Sequence, residues 1–406
     1  MAQSASPSPV TAPPRLNLRT PDVMAGVQMQ VENHYRSLLV ENIRASGGTL
    51  CTETLTIHLA KEFGFCYGVE RAIDLAYAAR SVFPERRIFI LGEIIHNPEV
   101  IHQIEALNIR NLLTAGIVPD LDILQKDDVV VVPAFGAEVG IINKIKQLGC
   151  QIVDTTCGDV MSVWKRVRQN ALENVTSIIH GKAFHEETRA TASRALGKGV
   201  GHYLVVLNIK DTDVVCDYIR NGGDSDAFLR YFPAQAYSVG FNPNLHLKRV
   251  GVANQTTMLR SETEEVQRRI RKAISDRDNG SEENFRYFDT ICGATQDRQD
   301  ALFTLLRSHE LNFLLVVGGY NSSNTTHLAE IGSTEIPTYF IRNSECLESE
   351  NLIRHFDVVL KQEIETRGWL PNFSSLHVGI TAGASCPNNL IEATIRRLLE
   401  LREVVR

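Results

Sequence analysis

The sequence predicts an α/β protein built from three similar lobes, and three observations carry that expectation. From about residue 55 onward, strand-like runs alternate with helical patterns. The runs are nearly continuous in Val, Ile and Leu, as in parallel strands covered on both faces. A cysteine also sits three times at the end of such a run, at Cys66, Cys157 and Cys292, with a glycine one or two residues later and a helical stripe behind it. These cysteines are roughly 90 and 135 residues apart, the size of a domain. Finally, 43% of the 406 residues are hydrophobic and 22% are charged, enough to fill several cores.

In chain order, residues 1–54 read as a tail and an arm. Residues 1–21 are rich in Ser, Ala and Pro and hold no acidic residue. They suggest a disordered tail or, in the alternative, an organellar transit peptide that would direct the chain to a plastid. Residues 22–48 look helical. The first lobe is expected over 55–156. Its strands are LTIHLA (55–60), RIFILGEI (87–94), DVVVVPAF (128–135) and QIVDTT (151–156), and a helix follows Cys66 with Val69, Ala72, Ile73, Ala76 and Tyr77 on one stripe. The second lobe is expected over 157–291. It starts with a helix whose stripe is Val160, Val163, Trp164, Val167 and Ala171, followed by strands TSIIHG (176–181), HYLVVLN (202–208), RVGVANQTT (249–257) and FRYFDTI (285–291). The third lobe is expected over 292–406, with strands NFLLVVGG (312–319) and LHVGITAG (376–383) and a C-terminal helix.

Composition excludes some functions. Lys and Arg number 42 against 48 Asp and Glu, a net charge of −6, so the chain lacks the basic face of a general nucleic-acid binder. Its longest apolar runs fall far short of the ~18–20 residues that cross a bilayer. No secretory signal is visible, and the eight cysteines are too sparse for a disulfide scaffold. A reducing, cytoplasmic setting is the expectation. The absence of any C-x-x-C pair means that a metal site must draw on cysteines far apart in sequence.

A cysteine at a helix N-terminus is expected to have a lowered pKa. Three thiolates from three lobes suit a 4Fe–4S cluster with one iron left open, and zinc with three cysteines and a water stays an alternative. Cys51, Cys150, Cys216 and Cys346 read as small buried hydrophobes, while Cys386 is left open.

The polar loops add candidates. In HGKAFHEET (180–188), His185 and Glu187 are placed to share a pocket, where burial would make Glu187 a proton donor. Thr256 and Thr257 fall at a strand end, and Ser261 with Glu264 reads as a capping box. GGYNSSNTTHLAE (318–330) and ITAGASCPNNL (380–390) resemble anion sites at helix N-termini and together suggest a phosphate or diphosphate ligand. His96 precedes Pro98 at a helix start. No P-loop and no dinucleotide fingerprint occurs.

Taken together, FGFCYGVERAI (63–73), EIIHNPEV (93–100), VDTTC (153–157), HEET (185–188), NQTT (254–257), DTICGATQDRQDAL (289–302), NSSN (321–324) and TAGAS (381–385) resemble the 4-hydroxy-3-methylbut-2-enyl diphosphate reductase (IspH/LytB) family, in its longer cyanobacterial and plant-type branch. The resemblance implies a pseudo-threefold trefoil of lobes around a 4Fe–4S cluster. It implies reductive removal of the hydroxyl of 4-hydroxy-3-methylbut-2-enyl diphosphate, giving isopentenyl and dimethylallyl diphosphate, the last step of the methylerythritol phosphate route. Carried over, Cys66, Cys157 and Cys292 are the cluster ligands. Glu187 is the proton-delivering acid, with Thr256 and His185 beside it. His96, His185, Ser322, Ser323, Asn324 and Ser385 form the diphosphate pocket. Ferredoxin or flavodoxin is the implied electron donor. Two departures stand out. Phe135, in PAFGAEV (133–139), occupies the place of a second diphosphate-contacting histidine, with Lys182 as the candidate substitute, and Gly158 follows Cys157 where a proline is common. Two competing readings are a quinolinate-synthase-like enzyme, against which NSSN and TAGAS argue, and a redox sensor or zinc-stabilised binding module, which would need no Glu187.

Overall fold

A computed structural model describes residues 18–113, 118–197, 199–288 and 290–404. The tail at 1–17 and Asp289 of the DTICGATQDRQDAL motif lie outside these residues.

Three sheets form three lobes. One is wholly parallel, in the order Ile109–Asn111, Ile88–Ile90, Val129–Val132, Gln151–Asp154. A second, also parallel, runs Phe285–Tyr287, Val250–Asn254, Thr176–His180, Tyr203–Val206. The third has seven strands, and its parallel centre is Leu55–Leu59, Leu376–Ala382, Phe313–Val317 and Thr338–Ile341. Val129–Val132 shows why continuous apolar runs mark such strands: all four valines are buried. Each buried Val side chain contributes roughly 1.5–3 kcal/mol of transfer free energy.

The linear division of the chain is corrected at one strand. Leu55–Leu59, expected to open the first lobe, is hydrogen-bonded instead between Thr49–Cys51 and Leu376–Ala382 in the seven-stranded sheet. The chain then crosses to the first lobe through Cys66 and the helix Tyr67–Val82. Several strands carry no apolar run and were not expected: Thr49–Cys51, Ile109–Asn111, Thr338–Ile341, and the hairpin of Leu352–Asp357 with Gln362–Arg367. The hairpin is half-buried at a sheet edge, so it lacks the dense patterning of central strands.

The arm is helical, as Pro21–Tyr35 and Leu38–Ala45. It joins two lobes. The Tyr77 hydroxyl of the first lobe is 2.6 Å from His34 Nδ1 and donates to Tyr35 Oη at 3.3 Å. Ser37 Oγ donates to Glu392 of the C-terminal helix at 2.6 Å. The Ser261 capping box is not formed. Helix Arg260–Arg277 begins two residues earlier than that box requires, with Leu259 at the N-cap, and Glu264 pairs with Arg260 at 2.8 Å. Among the spare cysteines, Cys150, Cys216, Cys346 and Cys386 are buried, whereas Cys51 is exposed on an edge strand.

Candidate active site

Every candidate residue lies just beyond the C-terminal end of a parallel strand, where open α/β sheets place ligands. His96 follows Ile88–Ile90, Phe135 follows Val129–Val132, and Cys157 follows Gln151–Asp154. In the second sheet, Lys182 and Glu187 follow Thr176–His180, Thr256 follows Val250–Asn254, and Cys292 follows Phe285–Tyr287. Ser322–Asn324 and Ser385 follow two central strands of the third sheet, and Cys66 follows Leu55–Leu59.

Cys66, Cys157 and Cys292 are each the N-cap of a helix, namely Tyr67–Val82, Gly158–Leu172 and Gly293–Ser308. Gly68 shows how tightly two of them meet. A Cβ there would fall 2.7 Å from Cys157 Sγ and 3.9 Å from Cys66 Sγ, so only glycine permits the approach. Cys292 Sγ accepts from Thr295 N at 3.3 Å. The expected lowering of thiol pKa is overturned for two of the three. Burial pushes Cys157 up, and it pushes Cys292 up to about 12, against the opposing pull of helix N-terminal N–H groups. Desolvation outweighs the helix end, and among the described residues no cation figures in the shift of either thiol. A bound metal supplies that charge and deprotonates its thiols outright. The donor set is soft, which fits iron–sulfur or zinc chemistry. A single zinc with Zn–S near 2.3 Å would draw its thiolates to within about 4 Å of one another. Among the described residues, the one set of three such ligand atoms lying within 4.8 Å of each other is His96, His185 and Glu186, so the sulfurs are spread more widely than one ion requires.

Beside the thiols lies a buried acid. Glu187 Oε1 accepts from Thr256 N at 2.6 Å, and the carboxyl is 3% exposed. Burial raises its pKa to about 7, although the Thr256 amide and hydroxyl pull the other way. His185 caps helix Glu186–Ala195: its Nδ1 accepts from Glu187 N at 3.2 Å. The ring proton is therefore on Nε2. Burial and the neighbouring His96 and Lys182 hold the His185 pKa well below its usual value, so the ring is a neutral Nε2–H donor.

A cavity of about 340 Å³ opens next to it, lined by Glu93, His96, Asn111, Leu113, His185, Glu186 and Asn321. His96 Nδ1 is 2.9 Å from Glu93 Oε2, and its buried Nε2 has no hydrogen-bond partner, with Glu186 Oε2 3.9 Å away. Phe135 stacks on His96 with centroids 4.8 Å apart and meets His185 edge-on at 6.1 Å. The loops behind His96 are tied by short links. Ser385 Oγ donates to His96 O at 3.1 Å, and Asn97 Nδ2 donates to Ser385 O at 2.9 Å. Asn324 Oδ1 accepts from Ala384 N at 2.9 Å, leaving its buried Nδ2 unpartnered. Ser322 caps helix Ser323–Ser333. Lys182, half-buried, donates from Nζ to Ser323 Oγ at 3.1 Å. Ser322, Ser323, Asn324 and Ser385 are all buried, and the residues lining this cavity do not include them.

Sequence reasoning missed Gln255 as a functional residue. Its Oε1 accepts from Lys182 N and Thr188 Oγ1, both at 3.1 Å, and its Nε2 donates to Thr257 Oγ1 at 2.9 Å. It knits HGK to NQTT. The signal was present, since Gln255 sits in the quoted NQTT motif, but the motif was read for its hydroxyls alone. Glu93, Glu186 and Asn321 were missed as well, because single polar residues in loops or at a helix start carry no periodic mark.

Fold and site together define an α/β enzyme with a thiol-lined centre, an adjoining buried acid and a polar pocket. The chain belongs to the LytB protein family, whose model matches residues 57–399. It is 44% identical over 384 residues to the 4-hydroxy-3-methylbut-2-enyl diphosphate reductase of Thermosynechococcus vestitus, covering 93% of this chain and 92% of that one. The enzyme of the same name from Gloeobacter violaceus is also 44% identical, with coverage of 94% and 91%. Among solved structures, (E)-4-hydroxy-3-methyl-but-2-enyl diphosphate reductase, the terminal enzyme of the non-mevalonate pathway, superposes with a TM-score of 0.52 at 25% identity, covering 85% of this chain and 99% of that one. The E-1-hydroxy-2-methyl-but-2-enyl-4-diphosphate reductase of Plasmodium falciparum shares the fold, with a TM-score of 0.61, 20% identity and coverage of 85% and 88%.

Proposed function

We propose that this chain reduces 4-hydroxy-3-methylbut-2-enyl diphosphate to isopentenyl and dimethylallyl diphosphate, the terminal step of the non-mevalonate route. The observation that carries the reading is the near end-to-end likeness to reductases of that name at 44% identity. The net reaction breaks one C–O bond, forms one C–H bond, consumes two electrons and two protons, and releases water.

Cys66, Cys157 and Cys292 are the residues that would hold a 4Fe–4S cluster, which supplies one-electron transfer and a Lewis-acidic iron when bound. The spread of the sulfurs supports this reading over a single zinc. The chain's own residues do the rest. Glu187 is the proton donor. With a pKa near 7, half of it is protonated at neutral pH, which is where a general acid works best. Because Oε1 is held by the Thr256 amide, the proton belongs on the other oxygen. His185 offers its Nε2–H, Asn324 its unpartnered Nδ2 and Lys182 its ammonium to the diphosphate. Fixing the substrate at both ends contributes by positioning. The electron donor of this reading is a ferredoxin or flavodoxin. No helix among the described residues is long and apolar enough to cross a membrane.

The test is turnover by anaerobically purified protein with reduced methyl viologen. Glu187→Gln is expected to keep the brown cluster spectrum and substrate binding while kcat falls about 10²–10⁴-fold. A colourless protein holding stoichiometric zinc, or an unchanged kcat in the variant, overturns the respective assignment.

A further inference from the structure

The reaction proposed above needs two electrons from outside the chain, so a reduced partner must reach the thiol-lined centre. The helix Gly158–Leu172 offers the place. Its inner stripe of Val160, Val163, Trp164 and Val167 is buried. The opposite stripe is Met161, Lys165, Arg168 and Leu172, spaced by four, three and four residues and therefore on one line along the helix. All four are exposed, Met161 at 44% and Leu172 at 72%. The same line, continued one turn back, begins at Cys157. Neither Lys165 nor Arg168 has an ion-pair partner among the described residues. Of the two carboxylates at the helix ends, Glu173 is already engaged by Arg286, and Asp159 sits at the tip. Next to that tip Tyr67, the residue after Cys66, is 71% exposed. The chain as a whole carries −6, so a cationic stripe bordered by exposed apolar side chains stands out from its surface.

We infer that this stripe, with Tyr67, is the docking surface for an acidic one-electron carrier protein. Opposite charge steers the carrier to the surface and fixes its register, while the apolar ends supply the buried contact. Two reduced carriers bind in turn, and each is oxidised by one electron per substrate reduced. The cations sit one and two turns beyond Met161, so the carrier's own redox centre is brought up to the Cys157 end of the helix.

The inference rests on the reductase reading, and two electron donors separate them. The double variant Lys165→Glu, Arg168→Glu is assayed as the cluster-loaded enzyme with reduced plant-type ferredoxin and with reduced methyl viologen. Ferredoxin-driven kcat/KM is expected to fall tenfold or more. Its decline with added salt is expected to flatten, while viologen-driven turnover stays within about twofold. Lys165→Arg is expected to behave as the parent. Unchanged ferredoxin-driven turnover overturns the surface, and so does an equal fall with both donors, which marks a merely structural helix. No turnover of the parent with either donor overturns the reductase reading instead.

Discussion

The thiol-lined centre and the polar pocket beside it are built by opposite means. The three cysteines share one local arrangement, strand end, N-cap, then helix, repeated once per lobe, and each is placed by its own backbone. The pocket has no repeated unit. It is stitched from loops of all three lobes by single bonds such as Lys182 to Ser323, Asn324 to Ala384 N, Asn97 to Ser385 O and Thr256 N to Glu187. A repeated backbone geometry tolerates change between its copies. A stitched pocket makes each side chain answerable for its neighbours. Substitutions in the first region should therefore act all or none, and those in the second should be graded.

The largest effect tests the first half of that contrast. Cys157→Ser is expected to lose the cluster absorbance and drop turnover to background, because a hydroxyl is a hard and weakly acidic donor. The fold should persist, since Cys157 caps its helix without a side-chain hydrogen bond and only borders the small cluster of Val160, Trp164 and Ala190. Far-UV circular dichroism and iron content check both halves. A brown, active Cys157→Ser protein would break the comparison.

Next comes the pH profile, which sharpens the role of the buried acid. If the protonated form of Glu187 is the active one, kcat is level below pH 7 and falls tenfold per unit above it, in line with a pKa raised to about 7. The same shift affects stability. Between the unfolded value of 4.5 and the folded value near 7, the folded state binds a proton that the unfolded chain has released. Stability therefore falls as pH rises through that window, by about 3 kcal/mol in all. Glu187→Gln should remove this slope in urea unfolding followed from pH 5 to 8.

Lys182→Met addresses the stitched pocket directly. A charge-assisted bond to the diphosphate is worth about 1.5–3 kcal/mol, so KM should rise roughly 10- to 150-fold while kcat holds. A fall in kcat alone would place Lys182 in the chemistry and not in anchoring.

The same contrast explains what was legible in the sequence. Cys66, Cys157 and Cys292 were readable because the N-cap code is local and occurs three times. Most central strands were readable because burial on both faces writes Val, Ile and Leu in a row; Thr338–Ile341, buried only at its last two residues, was not. The sheet to which Leu55–Leu59 belongs was not readable, because its partner Leu376–Ala382 lies more than 300 residues away and pairing leaves no mark in either strand. Gln255 was not readable either. Its role comes from two acceptor bonds to another loop, and a lone glutamine carries no period. Lys182 was a candidate by substitution for a missing histidine, but its direction toward Ser323 is set by the packing of two distant loops.

The smallest effect is expected where the sequence departs most visibly from its family. Phe135 stands where the family resemblance implies a histidine, and it is buried, stacked on His96 and edge-on to His185. A stacked ring orients both imidazoles whether or not it can hydrogen-bond, so Phe135→His keeps that support and adds a donor. The gain is offset by crowding. A third imidazole beside His96 and His185 raises the cost of protonating any of them, as His96 already helps to hold His185 neutral. Lys182 meanwhile supplies the positive charge that the histidine would bring. KM for the diphosphate substrate should therefore change by less than about threefold. In the Lys182→Met background the same substitution should recover a measurable share of the lost affinity, because only there is the anion short of a donor. Equal effects in the two backgrounds would show that the residues act independently, and that the pocket is less tightly stitched than its hydrogen bonds indicate.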